Sequence, residues 1–583
     1  MTRSRKSMAL VCACVAAAVL YHWPILSDWH NLGVLDWDQH LFMQEVPRQT
    51  IVRHHQFPLW NPYACGGMPM LANPQSRFLS PTFVLHLLFG VLAAERIEMI
   101  LHLAVGLVGA FLLARRVGLG AMGATTAAAI MLLNGTYAGT LAAGMTTFMT
   151  IAYIPWMFLF ALKSLDDARY VWAVAAMSAL TFLEGGPYTI TLLAPFLAFY
   201  FGLESLRQRS LMPLWRVGLA GVLSIGLAAI KILPSVEFLR QYPKVENDYS
   251  GYSLWGLANM LFNPNTDLHL PDTRGFLQGY SWSHDENLMY VGLLAGILFV
   301  VGIVSSGRRH HLLALSWVLF LWLSFGTRAE PLSLWEWLHK VPFYTAMHVA
   351  QRFRIIMMLC FALFAGFGFE FVLRKVKPRW VVPVGLALIS MVTIDLIRVN
   401  AGIYHQAFTV PPVAIEPVEQ FSQRLTPAAG NARLSPEFTA VQMGVGVVNC
   451  YEPLTAIPEN AIPEESDKYR GETYLDNTAG SARFSSWSPN RFTIAVAAES
   501  RGDVVVNQNC YPGWFARADG VSVPIDCQQH NGLLAAPVNN SVHEVEFVYR
   551  PTSFVVGAVM SAIFAAIAVM ALRSPRRRAP NRG

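Results

Sequence analysis

Long uncharged apolar stretches, separated by short basic clusters, constrain this chain more than any other feature of its sequence. A helix crossing a bilayer needs about 20 mostly apolar residues, because its backbone polar groups must be satisfied within the segment. Twelve stretches read as such spans: 8–26, 97–114, 120–134, 147–162, 170–183, 188–205, 217–233, 288–305, 312–325, 350–373, 380–397 and 553–572. Only 14% of the 583 residues are charged, against roughly 25% in an ordinary soluble domain. That deficit excludes a soluble enzyme, a secreted disulfide scaffold and a disordered chain. The net charge of +6 is spread between apolar runs, so no nucleic acid is expected as a partner. The expected fold class is a polytopic α-helical membrane protein of about 12 spans, with membrane lipids as neighbours.

The charges orient it. Segments 1–7, 115–119, 163–169, 206–216, 306–311, 374–379 and 573–583 hold 21 of the 43 Lys and Arg, and only two acids, Asp166 and Asp167. Translocation of basic residues is disfavoured, so these segments are expected in the cytoplasm, with both termini there. The first stretch follows Arg3, Arg5 and Lys6 but precedes Tyr21-His22-Trp23-Pro24, not a small-residue cleavage site. It reads as an uncleaved span. Segment 78–92 is apolar but interrupted by prolines and His86, and reads as interfacial or re-entrant.

Three segments are then extracytoplasmic: loops 27–96 and 234–287, and the longer 398–552. The second half of 398–552 alternates as strands do, over 491–497, 503–507, 514–518, 533–537 and 542–549, with Asp519-Gly520 and Asn531-Gly532 as turns. The expected organisation is a transmembrane module over 1–397, a mostly-β domain of β-sandwich type over 398–552, and a last span with a basic tail over 553–583. Of seven cysteines, Cys12, Cys14 and Cys360 fall in spans, while Cys510 and Cys527 fall where a disulfide is permitted. Cys65 and Cys450 have no evident role, and the cysteines show no metal-binding spacing.

Candidate chemistry gathers in the extracytoplasmic loops. Asp36 and Asp38 follow the first span, on one face of the chain if the segment is extended. They could orient an acceptor or a divalent cation, or simply cap a helix. Trp60 and Asn61 open a proline- and glycine-rich path that packs on aromatics. His284, Asp285, Glu286 and Tyr290 stand before another span; no second His lies near His284 at metal-ligand spacing, and a metal is left undetermined. Lys231, Arg352 and Arg354 sit near extracytoplasmic span ends. There a cation needs a partner, a polar cavity, or access to the interface, and arginine matches phosphate oxygens two at a time.

The strings Trp60-Asn61-Pro62, Gly67-Met68-Pro69, Gln75-Ser76, Ser80-Pro81 and Glu286-Asn287-Leu288-Met289-Tyr290-Val291-Gly292 resemble those of the YfhO-type bacterial membrane proteins. So do Cys510-Tyr511-Pro512-Gly513-Trp514 and Val545-Glu546-Phe547-Val548-Tyr549-Arg550-Pro551. The resemblance covers essentially the whole chain. It implies a GT-C-like fold and a glycosyltransferase that uses a polyprenyl-phosphate sugar donor at the face of the bacterial inner membrane away from the cytoplasm. It implies a first-loop acid as base, Asp38 or Asp36; the residues themselves offer Glu286 next. The chain departs from the family at Gly185-Gly186-Pro187-Tyr188, at Lys231 and at Cys510, which leaves sugar and acceptor open.

These residues suit inverting transfer to an envelope polysaccharide or glycolipid acceptor. A carboxylate deprotonates the incoming hydroxyl, and Arg352, Arg354 and Lys231 bind the departing phosphate. A flippase for lipid-linked sugars, or a non-catalytic envelope-assembly protein, would make no bond.

Overall fold

The structure is a computed structural model describing residues 3–243, 250–267, 284–342, 344–425, 436–449, 455, 457–477 and 479–573. Most of the basic C-terminal tail, the middle of loop 234–287 and Cys450 lie outside the described residues. Each of the twelve apolar stretches contains helix. Among the described residues, six helical segments are long and apolar enough to cross a membrane: Val91–Arg116, Thr146–Ser164, Pro187–Gln208, Ala350–Leu373, Pro378–Ala407 and Thr552–Arg573. The protein is therefore polytopic, but the expectation of twelve full spans is not met by helix length. Met8–Tyr21, Tyr170–Leu183, Leu293–Ser306 and His311–Ser324 are shorter apolar helices.

Two differences from the expected spans have local causes. The stretch expected at 288–305 is helical only from Leu293, because 284–292 is spent on an irregular loop. The stretch expected at 217–233 breaks at Ala228, where helices Met212–Leu227 and Ala229–Gln241 meet at 85°. A break leaves backbone donors without helical partners, which is costly away from water. Here the Ile230 N–H is taken up by Ser561 Oγ of the last helix at 2.9 Å. Segment 78–92 contains one short helix, Phe83–Phe89, stopped at Gly90.

Close packing at the centre rests on small residues. Gly302 of helix Leu293–Ser306 lies against the Phe364 carbonyl, and Gly368 of helix Arg354–Leu373 lies against that of Leu298. A Cβ at either position would overlap backbone. Small residues at such crossings let two backbones approach, and dispersion then holds them.

The strand segments read from the sequence are strands, in two antiparallel sheets. One has the order Val521–Val523, Trp514–Ala518, Glu544–Tyr549, Arg491–Ala498, Gly480–Ser488. The other has Leu533–Val538, Gly502–Asn509, Thr473–Leu475. Alternation decides their faces: Phe492, Ile494 and Val496 are buried while Arg491 and Ala495 are exposed. Phe492, Ile494, Val545 and Phe547 of one sheet share a core with Val504, Val506, Leu534 and Ala536 of the other. Cys510 and Cys527 are disulfide-bonded, with Cα atoms 5.4 Å apart. Cys65, which the sequence left without a role, is disulfide-bonded too.

The Gly302 crossing is testable. Gly302→Ile should force the two helices apart and lower the thermal midpoint of the purified protein in detergent. Gly218→Ala, a helical position with nothing near its missing side chain, should leave it unchanged. Equal midpoints for both variants would refute backbone contact at the crossing.

Candidate active site

Helix Trp37–Val52 starts one residue after Asp36, which sits at its N-cap position. Two bonds fix this start. The Asp36 N–H donates to Ala143 O at 2.9 Å, and Trp37 Nε1 donates to Ala142 O at 3.2 Å. With the helix placed, Asp36 and His40, one turn apart, line a cavity of about 170 Å³. Gln39, Gln75, Phe148, Tyr188, Asp285, Glu286, His348 and Arg352 also line it.

Glu286 and Arg352 meet there as a two-pronged ion pair. Arg352 Nε donates to Glu286 Oε2 at 3.0 Å, and Arg352 Nη2 pairs with Oε1. The guanidinium also lies 4.6 Å from the Tyr188 ring centre and 5.2 Å from that of Phe148. Arg354 serves the same loop differently, donating to Leu288 O at 3.2 Å and to Asp285 O at 3.4 Å. Its role is to hold the backbone that presents Glu286.

The two cavity carboxylates are pushed apart. Burial, and then the Glu286 charge, raise Asp36 to about 6 against the pull of Arg352. Burial also opposes ionisation of Glu286, but Arg352, Arg354 and His348 hold it below its ordinary value. Near neutral pH Glu286 is a fixed anion on Arg352, whereas Asp36 is poised to exchange a proton. His40 is driven down to about 3, by burial and then by the charge of Arg77, and is a neutral imidazole.

Asp38 does not line this cavity. The extended segment that would align it with Asp36 is helical instead, so the two carboxylates diverge. Asp38 accepts the backbone N–H groups of Glu437 (3.1 Å) and Phe438 (2.9 Å), at the start of helix Pro436–Met443. Lys231 is also outside the cavity. Its ammonium is buried and donates to three carbonyls: Pro74 and Phe182, each at 3.0 Å, and Ser76.

Trp60 and Asn61 shape the loop. The Trp60 N–H donates to Asn490 Oδ1 at 2.9 Å, Trp60 Nε1 donates to Gln508 Oε1 at 3.1 Å, and Asn61 Oδ1 accepts from the Tyr63 N–H. His284 Nε2 bonds Asn265 O at 3.2 Å, and Tyr290 donates to Asp395. Asp285 does line the cavity.

Sequence reasoning assigned no place in the cavity to His40, Gln75 or Tyr188, and missed a charged cluster behind them. In that cluster Arg77 donates to Glu95 at 3.0 and 3.1 Å and pairs with Glu98; Glu184 bonds His102, Tyr153 and Ser80. The signal was available: Glu95 and Glu98 stand at the mouth of an apolar helix, where acids are costly and call for a partner.

Asp36, His40, Asp285, Glu286 and His348 line the cavity, but no three of them lie within metal-ligand proximity of one another. Among the described residues, two groups have metal-ligand proximity: His86 with Glu95 and Glu98, and Asp476 with Asp503 and His530. Neither contains Asp36, Asp38 or Glu286. Glu286 is committed to Arg352, and Asp38 to a helix cap.

No family model matches the sequence, and no curated protein matches it. The YfhO-type resemblance therefore rests on the motifs alone. Among solved structures the chain is similar to the arabinofuranosyltransferase AftD from Mycobacteria, at 14% identity and a TM-score of 0.47. That match covers 75% of this chain but only 31% of AftD. It is similar to the oligosaccharyltransferase AglB from Archaeoglobus fulgidus, solved with an inhibitory peptide and a dolichol-phosphate: 12% identity, TM-score 0.40, 69% of this chain and 56% of that one. A third is ArnT from Cupriavidus metallidurans bound to undecaprenyl phosphate: 14% identity, TM-score 0.38, 69% of this chain and 74% of that one.

If Asp38 is a cap, Asp38→Ala should raise amide hydrogen exchange at Glu437 and Phe438 by between roughly twofold and thirtyfold, the equivalent of a lost N-cap. Unchanged exchange at both amides would show that the carboxylate does not hold that helix.

Proposed function

We propose that this protein is an inverting glycosyltransferase of the GT-C type, moving a sugar from a polyprenyl-phosphate donor to a cell-envelope polymer or glycolipid. The observation that carries this is the pairing within one cavity of Asp36, poised near neutral pH, with Arg352 held by Glu286. An apolar groove of about 300 Å³, lined by residues such as Phe182, Ile190, Ile225, Val236 and Leu239, shares Tyr188 with the cavity. A polyprenyl tail suits the groove, and its phosphate then falls towards Arg352.

The chemistry follows from those positions. The acceptor hydroxyl oxygen attacks the anomeric carbon while Asp36 takes its proton. The bond from that carbon to the phosphate oxygen breaks, and its electron pair leaves with the polyprenyl phosphate. Arg352 stabilises the departing charge; Glu286 fixes the guanidinium plane and does not itself move a proton. A single displacement inverts the anomeric centre. No step is assigned to a divalent cation, since no three of the carboxylate and His residues lining the cavity lie within metal-ligand proximity of one another. With this reading go an inner-membrane location, cytoplasmic termini, and a β-sandwich domain on the opposite face.

The test is transfer by purified protein in liposomes, given a panel of undecaprenyl- and dolichol-phosphate monosaccharides with glycan acceptors. Asp36→Asn keeps the shape and removes the base, which is worth roughly 10²–10⁴-fold. Turnover should fall at least about a hundredfold with donor binding retained. Transfer at the parent rate would refute Asp36 as base, and binding of lipid-linked sugar without transfer would favour a flippase.

The pH profile gives a second check. The base acts in its deprotonated form, so kcat/KM should be low below the Asp36 pKa. It should rise tenfold per pH unit up to about 6 and level off above it. An acid limb near the ordinary carboxylate value of about 4 would place the base elsewhere.

A further inference from the structure

Helix Arg354–Leu373 has a cavity at each end. Arg352, two residues before it, lines the one that holds Asp36, and Arg374, just after it, lines another of about 100 Å³. The helix has 20 residues, so at 1.5 Å per residue the two sites stand about 30 Å apart. Three turns meet at the second cavity. Gly118 comes from the turn after helix Val91–Arg116, Arg309 and His310 from the turn after helix Leu293–Ser306, and Glu370 and Arg374 from the end of helix Arg354–Leu373. The backbone crossing at Gly302 and Gly368 clamps two of these helices together, and so brings Arg309 and Arg374 to one recess. His310 is stacked on Phe367 with ring centres 4.2 Å apart, which fixes the middle turn.

The acid of this cavity does not neutralise both arginines. Glu370 accepts the Gly120 N–H and pairs with Arg374 at 3.8 Å. Arg309 forms no ion pair among the described residues. The three turns, 115–119, 306–311 and 374–379, together carry eight Lys and Arg and no Asp or Glu. The cost of translocating basic residues accounts for their presence on one face, but not for a recess built between them. A concave site in a field of one sign gathers counter-ions, and arginine matches phosphate oxygens two at a time.

The surface beside the recess distinguishes a lipid phosphate from a free one. Leu293, Ile297, Val300 and Val304 share one face of helix Leu293–Ser306 and are 51% to 82% exposed. Val304 adjoins Ser305, which lines the cavity. A molecule with its phosphate in the recess can therefore lay an acyl chain along this stripe. We propose that the recess binds the phosphate of an anionic phospholipid, in the membrane leaflet away from the Asp36 cavity, through Arg309 and Arg374. Basic pockets between spanning helices suit such headgroups. The proposal stands apart from the glycosyltransferase reading.

The experiment uses the full chain, purified in detergent and stripped of lipid, titrated with phosphatidylglycerol or phosphatidylcholine while native mass spectrometry counts the lipid bound. The parent should bind one phosphatidylglycerol at least about tenfold more tightly than phosphatidylcholine. Each cation at an anionic lipid surface is worth about fivefold, so Arg309→Gln with Arg374→Gln should weaken phosphatidylglycerol at least about tenfold and leave phosphatidylcholine unchanged. Arg309→Gln alone, which breaks no ion pair, should weaken it at least about threefold. Arg308→Gln with Lys377→Gln removes the same charge from the same two turns but leaves the cavity lining intact. That variant should stay within about twofold of the parent. Equal losses in the two double variants would reduce the effect to a diffuse basic field and overturn the site. Unchanged binding by Arg309→Gln, or a parent without preference for phosphatidylglycerol, would overturn it too. Inorganic phosphate that displaces phosphatidylglycerol at equal concentration would make a free anion the ligand, and the lipid assignment would fall.

Discussion

Arg77 lies buried between Glu95 and Glu98, and the first long loop depends on that arrangement for its position. Taking an ion out of water costs several kcal/mol even after relaxation, so a guanidinium stays at such a site only when its charge and its donors are answered together. Glu95 answers one edge of it and Glu98 the other; Thr146 takes a further N–H at 2.7 Å. Thr146 in turn bonds His40 Nδ1 at 3.2 Å. The cluster thus joins the loop, the helix Val91–Arg116 and the cavity wall in one network. Removing a partner would strand a buried charge, at a cost of roughly 3–5 kcal/mol, and would release the loop from the bundle.

The same economy of charge organises the cavity. Arg352 is a cation with a fixed orientation because Glu286 takes one side of it, and aromatic faces of Tyr188 and Phe148 lie over it. The pair is close to neutral as a unit, yet it keeps the directional donors of a guanidinium. Asp36 feels both members with opposite sign, and burial together with Glu286 outweighs Arg352 and raises its pKa to about 6. A carboxylate with its pKa brought towards neutrality is a stronger base than a solvated one, and it still spends much of its time deprotonated at pH 7. Neither property would survive if the cavity were wide open to water.

Much of this was legible in the sequence. The apolar stretches, the alternating strands and the acids beside the membrane all declare themselves by composition and period, which are local. Glu286, Asp36 and Arg352 were among the candidates because charge next to an apolar run is expensive and needs a reason. What was not legible is which candidates meet. Asp36 and Asp38 have the same chemistry and lie two residues apart; only the helix starting at Trp37 sends one to the cavity and the other to a helix cap. Lys231 and Arg352 likewise look alike at span ends, but an 85° break at Ala228 aims Lys231 at three carbonyls. Gln75 and Tyr188 carry no charge, so nothing in their local sequence marks them as facing polar space.

The segment after residue 397 meets the helices in its first part and the first long loop in its second. Residues from 398 onward lose their apolar character, which suggested a separate domain, but the first part of this segment packs on the helices. Val410 pairs with Leu32, the Phe408 ring lies tilted against that of Trp37 with centres 4.8 Å apart, and the Tyr404 ring lies 5.9 Å from that of Tyr21. Helix Pro436–Met443 is capped by Asp38, and its Val441 carbonyl accepts from Gln49 of helix Trp37–Val52. The strands of the two larger sheets begin only at Thr473. Helix Trp37–Val52 is thus held at its start by the turn at Ala142 and Ala143, and along its length by this segment. Because Asp36 and His40 ride on that helix, residues 398–425 and 436–449 belong mechanically to the cavity. The sheets reach the same loop from the other side, where Asn490, Gln508 and Asn509 satisfy the backbone and side chains of residues 57–67. A change at the sheet edge is therefore expected to act on the cavity through the path of this loop, without touching anything that enters it.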